Sequence, residues 1–95
     1  MSRVAARVDS NHGEIVEALV GHGCKIIDLS GVGKGVPDIM VWIPLWGRWV
    51  LIEIKSSRGK LNERQRKWHE EFKNCMVFVV RSAEEALAAV QHFEG

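Results

Sequence analysis

Long apolar runs are missing from this 95-residue chain. No segment approaches the roughly 18–20 consecutive apolar residues that a membrane span needs. The first residues, MSRVAARVDSNHGE, lack the apolar centre of a signal peptide. The expectation is a cytoplasmic protein with no membrane partner. Cysteine is scarce: Cys24 and Cys75 form no CxxC pair and no zinc spacing. In a reducing compartment both are expected to be small buried hydrophobes. His12, His22, His69 and His92 show no metal-ligand spacing and read as surface or helix residues. A net charge of +1 excludes a polybasic protein. The glycine-rich stretch 31–35, GVGKG, lacks the GxxxxGK[ST] pattern, so no nucleotide cofactor is expected. No repeat, linker or low-complexity segment interrupts the chain, which reads as one domain over 1–95.

What is present is uneven. Between 55 and 67 stand Lys55, Arg58, Lys60, Arg64, Arg66 and Lys67, against the single acid Glu63. A local basic patch binds polyanions without a high overall charge; its alternative is a solvated loop and helix face. Four tryptophans are many for a small domain. Trp68 is expected in the core. Trp46, at a hairpin tip where burial within one subunit is hard, is expected at a dimer interface or against DNA.

Periodicity gives the order α-β-β-β-α-β-α. Residues 11–22 read as a helix with Asn11 as N-cap and Glu14 at the third helical position, a capping-box arrangement. Strands are expected over 24–29, 38–43 and 48–55, the last two forming a hairpin. Asn62 caps a second helix running to about residue 73, with Gln65 at its third position. The run 76–81, MVFVVR, reads as a strand buried on both faces. Ser82 caps a last helix with Ala86, Leu87, Val90 and Phe93 on its inner face. An α/β fold follows, with a mixed central sheet flanked by helices.

The stretch WVLIEIKS (49–56) carries Glu53 and Lys55 two residues apart in an otherwise apolar strand. Charged side chains are rarely buried without partners. If Trp46 and Gly47 are the two turn residues, Asp38 falls opposite Lys55 and Glu53 opposite Met40. Asp38, Met40, Glu53 and Lys55 then share one face, with the carboxylates as diagonal neighbours. Two acids and a lysine converging at a strand end suit metal-assisted phosphodiester hydrolysis. Oxygen ligands on Asp38 and Glu53 favour Mg²⁺ or Mn²⁺, and Lys55 is placed to position water and steady negative charge on phosphate. A structural ion pair across the hairpin is the plainer alternative.

Val36-Pro37-Asp38, a hairpin, then Glu53-Ile54-Lys55 resembles the PD-(D/E)XK nuclease signature. Leu61, Gln65 and Trp68 in "LNERQRKW", the strand 77–80 and the following "RSAEEAL" resemble the VRR-NUC branch of that superfamily. The resemblance covers about residues 11–90. It implies a restriction-endonuclease-like core and a structure-selective or nicking DNA endonuclease. Stand-alone relatives, many from phages and bacteria, are similar to Holliday-junction resolvases and tend to be dimers. By the resemblance, Asp38, Glu53 and Glu14 are metal ligands, together with the backbone carbonyl of Ile54. Lys55 is the catalytic lysine, and Gln65 orders water or phosphate beside it. Both Glu14 and Gln65 have helix capping as an alternative, and Glu17 stands in for Glu14 if the first helix is rotated. Lys34, Arg58, Lys60, Arg64 and Lys67 are expected to touch DNA phosphates, giving affinity with little sequence preference. The expected partners are branched DNA and a second copy of the chain. Linear, nicked or single-stranded DNA is the alternative substrate. A non-catalytic nucleic-acid-binding or assembly module is the alternative of another class.

Overall fold

The computed structural model describes residues 11–91, so Phe93 and His92 lie outside the described residues. The elements run α1 (His12–Gly21), β1 (Lys25–Asp28), β2 (Ile39–Ile43), β3 (Arg48–Ile54), α2 (Glu63–Glu71), β4 (Val77–Val80) and α3 (Ala83–Gln91), in the expected order. No helix among the described residues is long and apolar enough to cross a membrane.

The four strands form one sheet in the order β1-β2-β3-β4. β1 pairs antiparallel with β2, and β2 with β3, whereas β4 pairs parallel with β3. The parallel pair needs a crossover, and α2 supplies it. Alternation along β2 and β3 sends Ile39, Val41, Ile43, Val50, Ile52 and Ile54 to one side. There they meet Ile15 and Leu19 of α1 and Ala86 and Val90 of α3, and all ten are buried. Apolar spacing at helical period in α1 and α3 builds the matching layer.

α2 has no buried residue. The core is therefore one-sided, which overturns two expectations. β4 is an edge strand and only Val80 of it is buried, since no further strand covers its outer side. Trp68 is half-buried on α2 and outside the core.

The hairpin register also differs from the expected one. Met40 pairs with Leu51 and Ile43 with Arg48, leaving Pro44, Leu45, Trp46 and Gly47 as a four-residue turn. Pro44 sits at the second position of a β-turn closed by Trp46 N–H donating to Ile43 O at 3.1 Å, and its fixed φ suits that place. Gly47 completes the turn at φ 64°. The shift is two residues, an even number, so every side chain keeps its face. Trp46 folds back against the core, so burial within one chain is met after all. The exposed tip residue is Leu45, at 71%. Cys24 is buried as expected, which pushes its thiol pKa up. Cys75 is exposed, because it lies in the turn between α2 and β4.

Candidate active site

Lys55 N–H donates to Val80 O and Leu51 N–H to Met76 O, so odd-numbered amides of β3 point toward β4. The even-numbered Ile54 N–H points the other way, toward β2. The β2–β3 ladder ends at the Ile39–Ile52 pair. Beyond it, the Asp38 carboxylate takes over: Oδ2 accepts from Ile54 N–H at 2.7 Å. One more step of the same register sets Asp38 against Glu53. The continued register faces Asp38 toward Glu53 rather than Lys55, and the contact its carboxylate makes is with the Ile54 amide. Asp38 is fixed from its other side too, its carbonyl accepting from Leu29 N–H at 2.7 Å.

Glu53 is 1% exposed, the one buried charged residue among those described. A carboxylate is costly to bury without compensation. Two groups compensate Oε2: Gln65 Nε2 donates to it at 3.0 Å, and Lys55 Nζ lies 3.9 Å away. Lys55 keeps 15% of its side chain accessible, so the ammonium faces both the acid and the surface. Lys55 and Gln65 thus meet at Glu53 Oε2, while Asp38 is bonded to the Ile54 amide next along the strand.

Gln65 caps its helix and also reaches Glu53. Its Oε1 accepts from Asn62 N–H at 2.9 Å while Asn62 Oδ1 accepts from Gln65 N–H at 2.9 Å, a complete capping box. The box locks the side chain, and its amide nitrogen is then aimed at Glu53. An amide carries both an acceptor and a donor, so one residue starts the helix and holds the buried acid.

The first helix behaves differently. Asn11 occupies the N-cap position but makes no side-chain cap hydrogen bond. Its amide nitrogen instead donates to Lys55 O at 3.1 Å and Arg81 O at 2.9 Å. Asn11 therefore ties the ends of β3 and β4 beside the lysine, a role no sequence signal announces. The expected capping box with Glu14 is absent. Glu14 and Glu17 are both exposed. No three of His, Cys, Asp and Glu among the described residues gather as a metal-holding group. Glu14 is not drawn to Asp38 and Glu53.

Lys34, Arg58, Lys60, Arg64 and Lys67 are all exposed. Arg58 and Lys60 sit on the loop after Lys55, which Arg81 pins by donating from Nη2 to Gly59 O at 2.9 Å. Gly33, Lys34 and Gly35 form a run of left-handed residues at φ 72°, 60° and 83°. A Cβ on Gly35 would come within 2.4 Å of Arg64 O, so only glycine lets this loop touch α2. That backbone contact sets Lys34 over the start of the helix. Asp28 opens the same connection: Ser30 N–H and Oγ donate to its Oδ1 at 2.7 and 2.6 Å and hold its carboxyl below the usual range. His69 is half-buried on α2, and burial lowers its pKa.

Asp38 and Glu53 supply a hard carboxylate oxygen set. It fits Mg²⁺ or Mn²⁺, which commonly take one or two carboxylates and complete their shell with water and phosphate.

Residues 4–84 match the family model of the VRR-NUC domain. A solved structure titled VRR-NUC domain superposes with a TM-score of 0.71 at 26% identity, covering 90% of this chain and 99% of that one. No curated protein matches the sequence significantly.

Proposed function

The chain belongs to the VRR-NUC domain family, a nuclease-type domain, and from that premise we propose a Mg²⁺- or Mn²⁺-dependent DNA endonuclease acting on branched or distorted DNA. The observation that carries the reading is the environment of Glu53: a fully buried carboxylate clasped by Lys55 and Gln65, with the Asp38 carboxylate bonded to the next amide along the strand. A purely structural ion pair has no need of the second acid or of the amide aimed at the first.

In this reading Asp38, Glu53 and the Ile54 carbonyl hold the metal, which when bound polarises the scissile phosphate and acidifies water. Lys55 orients the attacking water and offsets the negative charge that develops on phosphate. Gln65 keeps Glu53 in one rotamer and preserves its geometry through turnover. Ile54 N–H does the same for Asp38 through Oδ2. Lys34, Arg58, Lys60, Arg64 and Lys67 bind flanking phosphates. Glu14 remains a further acid for the site only if α1 or the substrate brings it in. A homodimer belongs to the same proposal, since a four-way junction requires two symmetric cuts. The open sheet face, with Trp49 41% and Ile27 45% exposed, offers apolar area for it.

The test is a panel of synthetic four-way junction, flap, nicked and linear DNA with each metal. The reading predicts that the junction is cut faster than its linear arms. Equal rates on all substrates would remove the preference for branches, and no cutting of any would remove the enzyme.

A further inference from the structure

α2 presents an aromatic pair that the core does not take up. Trp68 and Phe72 stack with ring centroids 4.3 Å apart and 25° between planes. Trp68 is half-buried and Phe72 is 36% exposed. A half-exposed aromatic pair on a helix without a buried residue offers a flat surface on which another ring can stack. Trp68 lines a cleft of about 440 Å³ together with Lys34, Arg64, Lys67 and Glu71.

The chemistry of that cleft is polarised. The side chains of Lys34 and Arg64 make no hydrogen bond or ion pair among the described residues, and that of Lys67 meets Glu63 at 3.7 Å in an exposed pair. The left-handed Lys34 is held at the rim by the Gly35–Arg64 backbone contact. Glu71 lies on the same helix about two turns after Arg64 and repels phosphate from that end. Lys34 and Arg64 at one end, Lys67 and the indole in the middle and a carboxylate at the other suit a single nucleotide. Its phosphate goes to Lys34 and Arg64, its base lies on Trp68, and exocyclic amino groups point toward Glu71. Duplex DNA hides base faces in the stack, so only an unpaired nucleotide offers one. The position is apt: Trp68 stands three residues after Gln65, on the neighbouring place of the same helical face, and Gln65 bonds Glu53.

We propose that this cleft binds one unpaired nucleotide beside the cleavage site, with the base stacked on Trp68. The proposal rests on the nuclease reading for its location and deepens it: the enzyme recognises distortion through an unstacked base.

Binding is measured by fluorescence anisotropy without metal, so no turnover intervenes. The DNA is a duplex with a three-nucleotide gap, the same gap built from abasic nucleotides, and the closed duplex. Wild-type protein should prefer the gapped DNA, and abasic nucleotides should weaken binding about ten-fold with the phosphates unchanged. Trp68→Ala should lose the same factor on gapped DNA and nothing on closed duplex, whereas Trp68→Phe should retain most of the preference. Equal affinity of wild-type protein for normal and abasic gaps overturns the proposal without involving any variant. A Trp68→Ala loss of the same size on closed and gapped DNA overturns it as well. The nuclease reading is judged separately, by cleavage with Mn²⁺, so either can fail alone.

Discussion

The two faces of β3 are built from neighbouring residues and do opposite work. Val50, Ile52 and Ile54 point into a layer sealed by α1 and α3. Leu51, Glu53 and Lys55 point to a side that no helix seals, where α2 meets the strand through one amide on Glu53. The sealed face gathers aliphatic side chains at zero to a few per cent exposure. The open face leaves tryptophans half-covered and buries a charge. Stability and chemistry are thus divided across the thickness of one sheet, and a single-residue step along the strand moves from one to the other.

That division can be broken from either side. The largest expected effect is Ile52→Ala, which removes a fully buried side chain and should cost about 2–5 kcal/mol. Urea unfolding would show it, and cleavage per folded molecule should be unchanged. Gly35→Ala strains the loop, both through its left-handed φ and through the Arg64 backbone. A loss of about 2 kcal/mol is expected, along with weaker DNA binding, since Lys34 and α2 would be pushed apart. Gln65→Ala should lower cleavage by about ten-fold, roughly 1.4 kcal/mol, because Glu53 loses its donor. Gln65→Glu should be worse, placing a second negative charge on Oε2. The smallest effect concerns pH. Burial lowers the His69 pKa below its value of 6.5 in the unfolded chain. As pH falls below about 6.5 the unfolded chain takes up the proton first, so stability declines until the folded value is passed. Melting temperatures between pH 7.5 and 5.5 should show that slope, and His69→Gln should flatten it.

Much of this was legible in the sequence because it depends on local rules. Element order followed from periodicity. The capping box at Asn62 and Gln65 followed from spacing, and the shared face of Glu53 and Lys55 from period-two alternation. The face survived even though the register was off by two, since parity alone decides it. What was not legible depends on contacts between distant segments. Asn11 looks like a helix cap, yet its oxygen makes no cap hydrogen bond and its amide nitrogen donates to two carbonyls at the ends of β3 and β4. Trp68 looks like core, but its helix is the crossover on the open side. Trp46 looks stranded at a hairpin tip, but a four-residue turn folds it back. Gly35 looks like one more loop glycine until Arg64 is found against it.

The open face stands or falls as an active site with Glu53 and Lys55. The direct measurement is cleavage of junction DNA with Mg²⁺ and with Mn²⁺ by wild-type protein, Glu53→Ala and Lys55→Ala, each confirmed folded by its cooperative melt. The account predicts cleavage by wild type and none by either variant. Cleavage that persists in both folded variants would contradict it.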